Sequence, residues 1–167
     1  MGNRANIIFT DESETNISPC VYLHWNGGPE SIYAFLNEME RRHIRIDQNY
    51  ECARFIGIVT DFFDQDSIGA TSIGVVNYPA KKITIKDLNK VNTDTNDNGF
   101  YVICRKKDGV KIRRFVKTRD ENGYALTEMS EEEAAREKAT ALKSNYIKGM
   151  ADTFIKLQGD KKIENYP

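Results

Sequence analysis

A run of basic residues between Arg105 and Arg119 is the part of this sequence whose residue types most clearly suggest binding chemistry. The run holds eight basic side chains and one acid, Asp108, whereas the whole chain of 167 residues has a net charge of −1. Cations at this density can contact phosphates or an acidic protein surface. The alternative is a solvated hairpin whose charges protect an exposed sheet edge. We assign a partner-binding role on this run to Arg105, Lys106, Lys107, Lys111, Arg113, Arg114 and Lys117.

A second candidate is the turn that follows His24, where Trp25 and Asn26 precede two glycines and a proline. Backbone amides at such a turn can bind an anion, but Pro29 lacks an amide proton and Glu30 adds a negative charge. We therefore expect a tight connection, with Trp25 and Asn26 forming a partner-contact surface. A small enzyme with a site near His24 and this glycine turn remains an alternative.

The sequence carries no recognisable catalytic or metal-binding motif. The segment 94–99 has the oxygen side chains and the glycine of the first half of a calcium loop, but the acid expected at its twelfth position is Arg105. Cys20 and His24 would lie about 13 Å apart on one strand, which is too far for a nucleophilic pair. We predict no catalytic residue, no metal and no cofactor.

The cysteines and the apolar segments predict where the chain resides. Its three cysteines are widely spaced and odd in number, which favours free, buried thiols in a reducing compartment. The first residues lack the apolar core of a secretory signal, and no stretch approaches the length of a membrane span. We expect a cytoplasmic protein that does not insert into a membrane.

The first half of the chain predicts two strands and two helices. Apolar residues over 5–10 and 19–25 predict an antiparallel pair, with Trp25 facing the core. Pro29 suits the first position of a helix that ends near residue 43. Apolar positions repeat at helical spacing over 50–64 and predict the most buried helix.

The second half predicts three more strands and a long helix. Residues 71–77 predict a central strand. Residues 84–87 have capping-box spacing before Leu88 and predict a helix start, whereas residues 82–85 are equally compatible with a short strand. Asp108-Gly109 predicts the turn of a hairpin formed by 99–106 and 110–117, followed by a loop over 121–127. A capping box predicts one long helix over 130–158.

This order of elements, in which hairpins alternate with helices, predicts an α+β fold with a mainly antiparallel sheet, two central helices and a long C-terminal helix. The length is that of one domain. We expect residues 1–158 to form that domain and 159–167 to be a polar C-terminal tail.

Two segments of the N-terminal third carry a resemblance: Gly2-Asn3-Arg4-Ala5-Asn6-Ile7-Ile8-Phe9 and Tyr22-Leu23-His24-Trp25-Asn26-Gly27-Gly28-Pro29-Glu30-Ser31. In these segments the chain resembles a family of small bacterial proteins to which no activity is assigned. In size and character alone, the chain is also similar to accessory proteins of phages and plasmids, including inhibitors of bacterial defence systems.

Taken with the charge pattern, this resemblance leads to a first hypothesis for function. We expect a non-catalytic binding protein, encoded by a mobile genetic element, that docks on a protein partner and inhibits a defence system. A nucleic-acid-binding protein that uses the basic hairpin 105–119 is the second hypothesis. The small enzyme near His24 is the third, and the sequence leaves the oligomeric state open.

Overall fold

The computed structural model describes residues 3–63, 71–74, 82–91, 97–121 and 123–158. The strands in these ranges are β1 (Ala5–Phe9), β2 (Cys20–Leu23), β3 (Thr71–Gly74), β4 (Phe100–Lys106), β5 (Gly109–Asp120) and β6 (Gly123–Glu128). The helices are α1 (Pro29–Arg41), α2 (Gln48–Phe62), α3 (Ile85–Leu88), α4 (Glu131–Leu142) and α5 (Asn145–Gln158).

The strands form one sheet in the order β3-β2-β1-β4-β5-β6. Neighbouring strands are antiparallel except β1 and β4, which are parallel with Ile7 opposite Tyr101. The α+β prediction with a mainly antiparallel sheet is therefore confirmed. The parallel pair at the centre was not predicted, because it joins strands more than 90 residues apart in the chain.

The two faces of the sheet are covered differently. Every second residue of a strand points to the same side of the sheet. On one side these residues, such as Ile7 and Tyr101, pack against α1, α2, α4 and α5 in the larger hydrophobic cluster. We call this side the helix face. The residues between them, including Ile8, Val102 and Phe115, point to the other side and pack in a smaller cluster against residues 82–91, which contain α3 and which we call the α3 segment. We call this side the α3 face.

The first helix begins as predicted. Pro29 is its first residue and Gly28 its N-cap, so the amide proton that proline lacks would have no helical acceptor. However, α1 rather than α2 is the more buried helix, because α1 contacts α2, α4 and α5 together. The prediction that Trp25 faces the core was also wrong: β2 ends at Leu23, and Trp25 is 43% exposed in the turn.

The strand at 71–74 is not central. It pairs only with β2 among the described residues and forms one edge of the sheet, with Ile73 61% exposed. Its β-branched composition suggested burial, but an edge strand can carry the same residues. The rest of the predicted strand, 75–77, lies outside the described residues.

The β4–β5 hairpin is confirmed, but its turn is displaced by one residue. Lys106 pairs with Gly109, so Lys107 and Asp108 form the turn and Gly109 takes the φ of +148° that favours glycine. Val102 therefore faces Arg113, whereas a turn centred on Asp108 and Gly109 would place it opposite Phe115. Because the two registers differ by two residues, each side chain lies on the same face of the sheet in both.

Two predictions for the C-terminal part were wrong. The loop expected over 121–127 contains β6, which pairs with β5 over its full length. The single helix over 130–158 is divided into α4 and α5, because Ser144 Oγ accepts a hydrogen bond from the amide of Tyr146 and starts a new helix. The capping box between Ser130 and Glu133 is confirmed. Residues 159–167 lie outside the described residues.

Candidate functional site

The strand alternation divides the basic run between the two faces of the sheet. Arg105 and Arg114 point to the helix face, where both are buried. The remaining strand cations of the run point to the α3 face and are Lys106, Lys111, Arg113, Lys117 and Arg119. Lys107 lies in the turn and is exposed. The run is therefore two separate sets of charges.

Arg114 is a structural residue of the core. Its guanidinium donates to Glu137 Oε1 at 2.7 Å and to the carbonyls of Asn98 and Phe100 at 2.8 Å. It also stacks on the Tyr101 ring at 3.6 Å. Burial raises the pKa of Tyr101, and that hydroxyl donates to the carbonyl of Gly27. Arg114 thus joins the sheet to α4 and is enclosed by its own chain.

Arg105 is enclosed in the same way beneath α1 and α2. It donates to Glu51 at 3.0 Å and to Glu40 at 3.0 Å, and it reaches the carbonyl of Ile44. The side chains of Arg105 and Glu51 are only 3% and 2% exposed. Burial raises the pKa of Glu51, while the charge of Arg105 opposes that shift. A buried pair of this kind connects the sheet to the helices.

Arg113 lies on the α3 face but has three acceptors from its own chain. It donates to Glu14 at 2.6 Å, to Glu128 at 2.6 Å and to the carbonyl of Ile83 at 3.0 Å. Hydrogen bonding from Arg113 lowers the pKa of Glu128. Lys106 on the same face forms an ion pair with Glu12. These contacts neutralise two more cations of the run.

The acidic loop after β1, residues 10–19, supplies Glu12 and Glu14. Burial raises the pKa of Asp11, but hydrogen bonds from Asn16, Ser13 and Thr15 outweigh it and lower the pKa overall. Asp11 therefore organises the loop, and Glu14 also accepts a hydrogen bond from the amide of Ile83. Through Glu12 and Glu14, the loop connects the β4–β5 hairpin and the α3 segment to the end of β1.

Exposed cations that remain on the α3 face form the candidate site. Lys111 and Arg119 lie on β5, eight residues apart, which corresponds to about 27 Å along a strand. Lys117 shares this face and is half-buried. The α3 segment adds the exposed side chains of Lys82, Lys86 and Lys90. We call the exposed cations of this set, Lys82, Lys86, Lys90, Lys111 and Arg119, the basic face.

The end of β5 and all of β6 form a two-stranded ribbon beside the basic face. β4 begins opposite Phe115, so the rest of β5 pairs only with β6 among the described strands. Tyr124 lies directly opposite Arg119 and is 72% exposed. This ribbon was not predicted from the sequence, although Asn122-Gly123 is a pair typical of two-residue hairpin turns.

Trp25 and Asn26 lie far from the turn of the β4–β5 hairpin. They follow the end of β2, which is antiparallel to β1, so they lie at the opposite end of the sheet from Lys107. Asn26 has a φ of +56° and donates to the Tyr146 hydroxyl at 3.1 Å. The structure therefore does not bring these two residues together with the basic residues near that turn.

Two cavities, of about 210 and 220 Å³, lie on either side of the acidic loop rather than at His24. Cys104 lines both, and burial raises the pKa of its thiol. No histidine lines either cavity. The Nδ1 atom of His24 instead shares a hydrogen bond with the Tyr22 hydroxyl at 2.9 Å. The cavities show no paired nucleophile and histidine base.

The predicted half calcium loop falls partly outside the described residues, at 94–96. Its described acid, Asp97, forms an ion pair with Arg4 at 2.9 Å. Across the described ranges, no three acidic, histidine or cysteine side chains are grouped so that they could hold a metal ion. No helix in those ranges has the length and apolarity to span a membrane.

Comparisons with known proteins identify no relative of this chain. No family model matches the chain, and neither a curated protein nor a solved structure matches it. The resemblance of the N-terminal third to a bacterial family therefore stays a prediction.

Proposed function

We propose that this chain is a non-catalytic binding protein that docks on an acidic protein partner through the basic face. The observation that carries the proposal is the segregation of exposed charge. Lys86, Lys111 and Arg119 are exposed on the α3 side of the sheet, whereas α1 and α4 on the helix side each carry more acids than bases. Such an arrangement orients an approaching acidic surface and accelerates association.

The hydrogen bonds of three arginines favour a protein over a nucleic acid as the partner. Arg105, Arg113 and Arg114 would be the best side chains for two-point contacts to phosphate, but all three already donate to acceptors of their own chain. The acids of α1 and α4 would also repel a long polyanion that extends past the edge of the basic face. A compact acidic surface avoids that repulsion.

Nucleic-acid binding remains the second candidate because of one specific pair. Arg119 and Tyr124 lie opposite each other on the ribbon, where a guanidinium can contact a phosphate while a phenol ring stacks on a base. The origin from a mobile element and the inhibition of a defence system remain predictions, since no described residue bears on either.

A charge-reversal experiment tests the proposed function. The triple variant Lys86→Glu, Lys111→Glu and Arg119→Glu reverses exposed cations of the basic face. The matched control Lys143→Glu, Lys148→Glu and Lys156→Glu makes the same charge change on exposed positions of the C-terminal helices and their junction. Each protein, tagged and immobilised, is exposed to a nuclease-treated bacterial lysate at low salt.

We expect a stoichiometric acidic protein that the wild type and the control retain and the triple variant loses. The retained protein should elute as salt is raised, because contacts between exposed charges are screened. Loss of the same protein from both triple variants would contradict the proposal. Labelled single-stranded DNA or RNA is tested as a separate probe. If the wild type retains this nucleic acid and retains no acidic protein from the lysate, the second candidate replaces the proposal.

A further inference from the structure

The edge of the sheet formed by β6 lacks the features that normally prevent strand pairing. Protected edges carry lysine or proline, or are interrupted by a bulge. β6 has the sequence GYALTE, and its pairing with β5 continues from Gly123 to Glu128 without a bulge. Its one charged residue, Glu128, is engaged by Arg113. Tyr124, Ala125 and Thr127 are exposed along this edge.

The register shows which backbone groups of β6 point outward. The amide of Met129 donates to the carbonyl of Arg114. The backbone N–H and C=O groups of Arg114 therefore point toward the β6 side of β5. Hydrogen-bonded and non-hydrogen-bonded pairs alternate along antiparallel strands. Val116 and Thr127 therefore form a hydrogen-bonded pair, which leaves the N–H and C=O groups of Tyr124 and Leu126 directed away from β5. The described residues make no backbone hydrogen bond to these groups.

The charges next to this edge define the strand that fits it. A strand added beside β6 would lie about 4.8 Å from β6 and about 10 Å from β5. Extended arginine and glutamate side chains together can span the second distance. Acids on the α3 side of the added strand would therefore meet Arg119 past Tyr124. A second copy of the chain would instead bring two such sets of cations toward each other.

We propose that β6 is a docking edge that accepts an acidic, extended segment of the partner as a seventh, antiparallel or parallel strand. This inference rests on the proposed function and specifies how the partner binds. Main-chain hydrogen bonds to Tyr124 and Leu126 hold the segment, and the basic face selects for acids at alternate positions. Leu126 packs against the smaller cluster and keeps the edge ordered before the segment binds.

The probe is the capped peptide Glu-Val-Glu-Val-Glu-Val, added to the 15N-labelled full chain and followed by NMR. We expect shifts and slower hydrogen exchange at the amides of Tyr124 and Leu126. The peptide with lysine in place of glutamate tests charge selection. The peptide with alternate N-methyl groups keeps every charge but loses the main-chain donors, and it should bind at least roughly tenfold more weakly.

Two variants at one position separate the backbone from the side chain. Tyr124→Ala and Tyr124→Pro both remove the phenol ring, but only proline removes the outward N–H group, and this position does not donate to β5. We expect Tyr124→Pro to weaken binding roughly tenfold relative to Tyr124→Ala. Thermal melts and the dispersion of the amide spectrum establish that both variants are folded.

Each outcome distinguishes this inference from the proposed function. If the acidic peptide shifts only residues of the basic face, and the N-methylated peptide binds equally well, docking by charge stands and strand addition is overturned. If neither the acidic peptide nor its N-methylated form binds, and the lysate yields no acidic protein that depends on the basic face, both proposals fall. A dimer in sedimentation that Tyr124→Pro abolishes would assign the edge to a second copy and overturn the inference.

Discussion

On the helix face of the sheet, Arg105 and Arg114 lie beneath helices and each meets a carboxylate of the chain, whereas on the α3 face Lys111 and Arg119 are exposed. All four belong to one basic run in the sequence. The same residue type therefore connects layers of the structure on one side and is available for binding on the other. The difference follows from strand alternation and from what covers each face.

The largest expected difference between the faces concerns their hydrophobic clusters. Phe35 is fully buried and its ring lies 5.7–6.1 Å from those of Phe55, Phe62 and Phe154. We expect Phe35→Ala to lower the free energy of unfolding by about 4 kcal/mol. Ile85 is half-buried against the smaller cluster, so Ile85→Ala should cost about 1 kcal/mol. Urea denaturation followed by circular dichroism measures both, and equal losses would contradict the comparison.

The next difference concerns the two sets of cations. Arg105→Ala leaves Glu51 buried without its partner and should cost about 3 kcal/mol of unfolding free energy. Lys111→Ala on the exposed side should change stability by less than about 0.5 kcal/mol. Urea denaturation also measures this pair.

A double variant shows whether the cost comes from the unpaired charge. Arg105→Met with Glu51→Leu removes both charges and should recover much of the stability that Arg105→Ala loses, because no buried charge is left unpaired. A double variant as unstable as Arg105→Ala would instead assign the loss to packing or to the contact with Glu40.

The smallest difference is in the response to pH. Arg113 lowers the pKa of Glu128, so the stabilising effect of this carboxylate is present above its unfolded pKa and is lost as pH falls through the folded pKa. Burial raises the pKa of Glu51, so its contribution is largest at low pH and declines as pH rises through the folded pKa.

The two carboxylates can be compared with glutamine variants from about pH 3 to pH 7. The stability lost in Glu128→Gln should grow with rising pH and stay below about 1 kcal/mol, since this pair is partly exposed. The stability difference between wild type and Glu51→Gln should change in the opposite direction. Parallel pH profiles for the two variants would show that the faces do not differ in this respect.

Local signals predicted much of the fold. The helix start at Pro29, the capping box at Ser130 and the β4–β5 hairpin were read from short patterns and confirmed. Each depends on contacts within a few residues, which the sequence displays directly. The ribbon was missed although Asn122-Gly123 carried the same kind of signal.

Long-range pairing could not be predicted in the same way. Nothing near residues 71–74 shows that this strand lies at the edge of the sheet, and nothing near β1 shows that its parallel neighbour is β4. The candidate site depends on the same information. Arg113 looked like a binding residue until the fold placed Glu14, nearly 100 residues earlier in the chain, against its guanidinium.

The sequence by itself determined the class of fold and the presence of a dense basic segment. These properties follow from composition and from the periods of apolar residues in helices and strands. Only the tertiary structure decided which cations are neutralised and which are exposed. A charge acquires a partner through contacts between distant segments, and those contacts here leave the basic face and the edge of β6 exposed.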